Sequence, residues 1–234
     1  MKSKVYFAKN TVCKFFLLTL FPLFLLNNCF EYEETIHFKK NFTGYVEITY
    51  TVPLHPSGDR SLIRFLPIQK EDIENRINKG FFSKNISIRN YNLKFIELPP
   101  WTELAPSSAK PLFSKKARVY YIVDFEDLGQ LDDVLLGYLF VKKKGYTLNV
   151  RREFKSIVKP LDQDSSDGEK KIFFETQKLL GDGYILFRVL FPQNFECRSN
   201  RGEIGQGFLI FKLPLVDTIE KAGPKLWDYT LIGN

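Results

Sequence analysis

The sequence predicts an α+β fold, built mainly on a twisted antiparallel β-sheet with two or three short helices. Three observations lead to this prediction. Apolar and polar residues alternate over most of the chain after residue 30, short turn-forming segments separate these runs, and few segments have helical spacing. The 234-residue chain is 44% hydrophobic and 26% charged, the composition of a folded globular protein. A β-sandwich is the alternative that the same pattern allows.

Two alternating runs open the predicted sheet. Residues 31–38 and 45–52 both alternate with a period of two, and the connection between them contains Gly44. Alternation on both sides of a short glycine-containing connection is typical of an antiparallel hairpin with one solvated face. His37 falls on the polar face of the first run.

The next segment has helical spacing. Residues 69–79 place Ile73 and Ile77 four apart, with Glu71 and Asp72 near the start and a glycine just after the end. Acidic residues in the first turn and a terminal glycine favour a short helix here.

The rest of the chain returns mostly to strand patterns. Residues 184–191 and 208–213 are nearly continuous apolar runs, so we expect central strands with both faces covered. With most strands in hairpin order, residues 29–234 are predicted to form one β-rich globular domain. Further strands are predicted at 86–96, 119–125, 139–141, 146–150 and 172–176, and helical turns at 126–128 and 217–222.

The first 28 residues differ from everything after them. Four lysines precede a 12-residue apolar run at 15–26, and no acidic residue occurs before Glu31. A basic segment followed by a short apolar one is typical of a secretory signal peptide. The run is shorter than the roughly 20 residues that a membrane-spanning helix needs, and Pro22 interrupts it. Residues 1–28 are therefore predicted to be a signal peptide.

A cysteine follows the apolar run directly. The segment Leu26-Asn27-Asn28-Cys29 resembles the lipobox of bacterial lipoproteins, and its two asparagines resemble the looser boxes of spirochaetal lipoproteins. The resemblance implies that the Cys29 thiol receives a diacylglycerol, that the chain is cut before it, and that the new amino group is acylated with a fatty acid such as palmitate. Each buried CH₂ adds about 0.8 kcal/mol, so two or three chains would hold the protein at a membrane without spanning it. A secreted protein without lipid is the alternative.

Charge and cysteine usage exclude other classes. The net charge of +7 includes the four lysines of the leader, so the mature chain carries +3, which is too little to predict nucleic-acid binding. With Cys13 removed and Cys29 acylated, Cys197 would be the one remaining thiol, and no disulfide framework is expected. Arg198 adjoins it, but both histidines are distant in sequence, so we interpret Cys197 as a packed residue.

We find no pattern for a metal, a cofactor or catalysis. His37 and His55 are the only imidazoles, fewer than a three-ligand catalytic zinc site uses. The acidic run 162–169 has Asp167 where a calcium loop needs glycine. The glycines of residues 202–207 match no phosphate-binding spacing, and no GxSxG occurs.

Three basic clusters are candidate contacts for anionic headgroups: Lys115-Lys116, Lys142–Lys144 at a predicted hairpin tip, and Arg151-Arg152. Guarding a sheet edge against further pairing is the more usual role of such residues. Trp101, in the irregular stretch 99–111, is the predicted aromatic contact residue. The 15% aromatic content either lines an apolar pocket or fills a β-rich core.

We therefore expect a lipoprotein of the bacterial cell envelope, anchored through acylated Cys29 and presenting a β-rich binding or structural domain without catalysis. The outer membrane is favoured, with the domain in the periplasm or at the cell surface. The partners are the membrane and an unidentified protein or lipid, with no nucleic acid. One alternative is a carrier of a lipid or other hydrophobic ligand in an aromatic-lined pocket. A less favoured one is a hydrolase with two close carboxylates, Asp124 among them.

Overall fold

The structure is a computed structural model that describes most of the chain after the predicted leader. Within this part it contains eleven strands, one α-helix and one 3-10 helix. The described residues are 30–55, 57–63, 65–78, 86–97, 115–132, 134–154, 166–168, 170, 183–215 and 225–233. The elements are β1 (Glu31–Phe38), β2 (Gly44–Pro53), α1 (Lys70–Asn78), β3 (Ile88–Glu97), β4 (Lys115–Phe125), the 3-10 helix (Leu128–Leu131), β5 (Tyr138–Lys144), β6 (Thr147–Phe154), β7 (Tyr184–Leu190), β8 (Glu196–Ser199), β9 (Glu203–Gly205), β10 (Phe208–Pro214) and β11 (Lys225–Ile232).

The strands form two sheets. The larger has the order β3-β4-β2-β1-β7-β10-β9, and the smaller has the order β5-β6-β11-β8. Strands β1 and β7 pair in parallel, and the other paired strands of the described residues are antiparallel. The predicted fold class, mainly antiparallel β with few helices, is confirmed.

The first hairpin forms as its alternation predicts. Strand β1 pairs with β2 from Glu31 opposite Thr51 to Phe38 opposite Gly44, and alternate residues of both strands are buried. Gly44 is required at the turn, because a Cβ there would lie 1.8 Å from the carbonyl oxygen of His37. Backbone and side-chain pattern therefore agree on one register.

The two sheets face each other across an aromatic core. Phe187 of β7 lies 5.0 Å from Phe154 of β6 and 5.3 Å from Trp227 of β11, measured between ring centres. Trp227 is also 5.0 Å from Phe211 of β10. The smaller sheet thus covers the β7–β10 part of the larger one, a layered packing like that of the sandwich alternative.

Helix α1 and the segment before it lie against another part of the larger sheet. The Tyr50 hydroxyl donates to the carbonyl oxygen of Pro67, and the Tyr91 hydroxyl donates to that of Ile68. The helix runs over residues 70–78, close to the predicted 69–79, and buries Ile73 and Ile77 as its spacing predicts.

The predicted helical turn after β4 is the 3-10 helix, which starts at Leu128. Asp127 caps it by accepting a hydrogen bond from the Gly129 amide at 2.8 Å, and the Gln130 side chain reaches back to the cap backbone. Two reciprocal bonds satisfy amides that the helix itself leaves unpaired.

Several sequence predictions need correction or lie outside the described residues. Strands β7 and β10 are central in the larger sheet, as predicted, but the prediction that both of their faces are covered is wrong. Only alternate residues are buried, and the other face carries partly exposed side chains such as Arg188. Lys142–Lys144 are the last residues of β5, and the hairpin tip is Gly145-Tyr146. Strands β8, β9 and β11 were not predicted. The predicted strand 172–176 and helical turn 217–222 lie outside the described residues.

Candidate membrane anchor and binding surfaces

The predicted lipidation residue, Cys29, lies outside the described residues, but the chain is described from the next residue onward. Phe30 is buried in the core, and β1 begins at Glu31. Because each residue of extended chain spans at most about 3.6 Å, covalent geometry keeps the Cα atoms of Cys29 and Glu31 within about 7 Å. An acyl group on Cys29 would therefore enter the membrane next to the start of β1.

We call the end of the larger sheet at which β1 begins the tether end. Pairing registers place the end of β2 and the starts of β4 and β7 there, because Thr51 lies opposite both Glu31 and Arg118, and Glu31 lies opposite Tyr184. Exposed cations at this end are Lys94, Lys115, Arg118 and Lys212.

The opposite end, which we call the far end, contains the turn at 39–43 between β1 and β2. Lys143 connects this turn to the smaller sheet. Its Nζ donates to the carbonyl oxygen of Asn41 at 3.0 Å and lies 5.4 Å from the centre of the Phe42 ring. Strand β5, which carries Lys142–Lys144, therefore ends at the far end.

Distance separates Lys142–Lys144 from the predicted anchor. Strand β1 covers seven residue steps from Glu31 to Phe38, about 23 Å. That is more than twice the Debye length of about 8 Å at physiological ionic strength. Lys142–Lys144 therefore lie more than two Debye lengths from the point at which an acyl group on Cys29 would hold the chain. Their contact with headgroups or with another partner stays a prediction.

Strand β5 is an edge strand of the smaller sheet, as the guarding role requires. One amide of that edge, Leu139 N–H, donates to Asp132 Oδ1 at 2.6 Å. Of the other basic clusters, Lys116 and Arg152 are buried, so neither can reach a membrane surface. Trp101 lies outside the described residues.

The core contains a charged pair that the sequence reasoning missed. Glu34 of β1 and Arg152 of β6 are both inaccessible to solvent, at 0% side-chain exposure. Arg152 Nη1 donates to Glu34 Oε1, and Nη2 donates to Glu34 Oε2 at 3.2 Å and to the Leu136 carbonyl oxygen. This two-bond pairing joins the larger sheet to the smaller one.

Aromatic rings enclose that pair. The guanidinium carbon of Arg152 lies 4.6 Å from the centre of the Phe187 ring and 5.3 Å from that of Phe154. The Tyr32 hydroxyl donates to Glu34 Oε2 at 3.3 Å, and burial together with Glu34 raises the pKa of Tyr32, which keeps it a donor. Arg152 Nε and the Tyr229 hydroxyl have no hydrogen-bond partner among the described residues. Since no solvent reaches it, we interpret the pair as a structural link.

A serine, a histidine and an aspartate meet in the loop after β2, but not in a catalytic order. Ser57 Oγ is 2.7 Å from His55 Nδ1 and donates to Asp59. In a nucleophilic triad the histidine stands between the serine and the acid. Here the serine stands between them, and the Ser57 hydrogen bond lowers the pKa of Asp59. The arrangement is that of an exposed polar turn.

Cys197 of β8 is half-buried and packs against the core. Burial raises the pKa of its thiol to about 11. The thiolate is the nucleophilic form, so this thiol is almost entirely unreactive at neutral pH.

The surface formed by the described residues includes two open clefts. One, of about 600 Å³, lies between the loop after β2 and α1 and mixes charged residues such as Arg60 and Asp72 with Ile63 and Ile68. The other, of about 790 Å³, lies on the outer face of the smaller sheet and includes exposed Phe140. His55, Asp59 and Ser61 also line the first cleft.

The described part of the chain holds no group of three His, Cys, Asp or Glu side chains able to bind a metal. None of its helices is long and apolar enough to cross a membrane. Asp124, the carboxylate named for the hydrolase alternative, accepts two hydrogen bonds from Arg89, at 2.7 and 3.1 Å, on an exposed surface.

Together these observations define a mainly β protein of two facing sheets, with candidate surfaces at its two ends. The LIC11874-like family model matches residues 24–233, and the chain belongs to that family. No curated protein matches the chain. Among solved structures, it is similar to the NMR structure of the folded domain of Mycobacterium tuberculosis LppM, with 11% identity and a TM-score of 0.40 over 99% of this chain and 95% of that chain.

Proposed function

We propose that the protein is a lipoprotein of the bacterial cell envelope, held at a membrane by acyl chains on Cys29 and presenting a β-rich, non-enzymatic binding domain. The outer membrane is the favoured site. The family match begins at residue 24, so the matched region includes the Leu26–Cys29 segment as well as the sheets.

One observation carries this proposal: a single residue, Phe30, separates Cys29 from β1, and Phe30 is buried. A cysteine at this position needs no linker to bring a folded domain to a membrane face. The tether end would then be the part of the domain held at the lipid, and the far end lies about 23 Å from it along β1.

The packing of the aromatic residues favours a binding surface over a hydrophobic-ligand carrier. The core rings fill the space between the sheets with one another: Phe187 contacts Phe154, Trp227 and Phe211 at 5.0–6.0 Å between ring centres. Rings at this spacing are in mutual contact. These aromatic residues therefore stabilise the core and do not line an apolar pocket.

Detergent phase separation tests the proposal. We expect the wild-type protein to enter the detergent phase and to resist release from membranes by high salt, because acyl chains are held by burial and not by charge. A protein that enters the aqueous phase, or that salt releases, would contradict a lipid anchor.

A further inference from the structure

The far end carries five lysines from two segments that are distant in sequence. Lys39 and Lys40 belong to the turn between β1 and β2, and Lys142–Lys144 end β5. All five are exposed. We call this group the lysine pole.

Lys143 keeps the two segments together. Its hydrogen bond to the Asn41 carbonyl oxygen and its position over the Phe42 ring fix the end of β5 against the turn. Lys143 therefore holds the end of β5 next to the turn that carries Lys39 and Lys40, while Lys142 and Lys144 extend from the other face of the strand, where Lys142 lines the outer cleft. None of the five ammonium groups makes an ion pair with a described residue. Of the acids at this end, Asp124 and Glu196 are paired with Arg89 and Arg198. Two further exposed acids, Glu126 and Asp127, follow β4 directly, and Asp127 caps the 3-10 helix.

Edge guarding does not account for the whole pole. It suits Lys142–Lys144, because β5 is an edge strand. Lys39 and Lys40 connect β1 and β2, which lie inside the larger sheet between β4 and β7. No sheet edge exists there to guard. Unpaired like charges destabilise a folded protein, and a bound anion removes that cost.

We propose that the lysine pole binds a linear polyanion with repeated phosphate or carboxylate groups, other than the membrane that holds the anchor. Lysine ammonium groups are flexible point charges that suit repeated anions. Protein interfaces are depleted in lysine and enriched in aromatic residues and arginine, so a folded protein partner is less favoured. Tyr146, 78% exposed at the β5–β6 turn, adds one flat aromatic side chain beside the charges.

This proposal rests on the proposed anchoring function in one respect only: the anchor decides which side of the molecule faces away from the membrane. Binding itself needs no acyl chain. The wild-type protein in non-ionic detergent and a Cys29→Ser chain produced without residues 1–28 are therefore expected to bind the probe equally, because neither carries the four lysines of the leader. If Cys29 proves to be unmodified while binding persists, the anchor is wrong and the lysine pole stands.

The test measures binding of two probes, inorganic polyphosphate and polygalacturonate, between about 50 and about 200 mM salt. The quadruple variant Lys39→Gln, Lys40→Gln, Lys142→Gln, Lys144→Gln leaves Lys143 in place to hold the turn. We expect at least about tenfold weaker binding at the lower salt concentration, and a salt slope shallower by about 3, because each phosphate contact on a single-stranded polyanion contributes about 0.7.

A matched control removes four cations from the tether end: Lys94→Gln, Lys115→Gln, Arg118→Gln, Lys212→Gln. The change in net charge is the same, but the site is about 23 Å away, more than the Debye length of about 14 Å at the lower salt concentration, so binding should fall by less than about threefold. If both variants lost binding equally, net charge alone would explain the loss, and the proposal would be overturned. So would binding of neither probe, or binding of the Cys29→Ser chain only to anionic phospholipid vesicles.

Discussion

The Cys29→Ser protein is expected to incorporate no labelled fatty acid and to retain residues 1–28. Serine has no thiol to receive the diacylglycerol, and in lipoproteins the leader is cut only before the modified cysteine. Loss of the anchor is the largest free-energy change among these predictions. Each acyl CH₂ buried in the membrane contributes about 0.8 kcal/mol to membrane binding, and two or three chains are lost together. Metabolic labelling and gel migration measure both effects.

Two other cysteines provide matched controls for that experiment. Cys13 lies in the same leader and Cys197 is a half-buried residue of the core. Cys13→Ser and Cys197→Ser proteins should both be labelled and cut as the wild type is. Label that persists in the Cys29→Ser protein, or that disappears in the Cys13→Ser protein, would place the acylated residue elsewhere.

The Arg152→Met protein is expected to lose about 3–5 kcal/mol of its free energy of unfolding, because the substitution leaves the Glu34 carboxylate buried without a cation. Methionine keeps most of the aliphatic stem, so the loss reports the missing charge more than a cavity. Urea denaturation followed by tryptophan fluorescence measures it, since Trp227 is buried against Phe187 in the same core.

The neighbouring residue supplies the control. Arg151 pairs with Asp228 at 2.7 Å, but its side chain is 59% exposed, so solvent screens the pair. Arg151→Met should change stability far less than Arg152→Met. The double substitution Glu34→Leu, Arg152→Met should recover most of the loss, because it removes both charges. Similar costs for the two arginine substitutions would show that the Glu34–Arg152 pair is not the buried link described above.

Local patterns were sufficient for the elements whose partners lie close in the sequence. The β1–β2 hairpin follows from alternation around Gly44, and α1 follows from isoleucines four apart with acids at the start. Strand β11 has the same local signal, since Trp227, Tyr229 and Leu231 alternate, but it was not predicted. Its pairing with β6 and β8 could not be predicted, because those strands are distant in sequence.

The buried pair leaves a recognisable signal in the sequence. Glu34 falls between Tyr32 and Ile36 on the apolar face of β1, and Arg152 falls between Val150 and Phe154 on that of β6. One acid and one base, each in a core-facing position, indicate a buried pair, because an isolated buried charge is too costly. Alternation alone could not say that the two strands face each other from different sheets.

The lysine pole could not be predicted from the sequence. Lys39 and Lys143 are about a hundred residues apart, and only the packing of the turn at 39–43 against β5 brings them together. The sequence also could not show on which side of the molecule these lysines lie relative to Cys29. That direction follows from the register of β1, which runs from the tether end to the far end.

Mass spectrometry of the N-terminal peptide of the protein isolated from membranes tests whether Cys29 carries a lipid. We expect a chain that begins at Cys29 and carries the added mass of a diacylglycerol, with a further acyl group on the amino terminus. A peptide that begins at another residue, or one that begins at Cys29 with a free thiol, would contradict it.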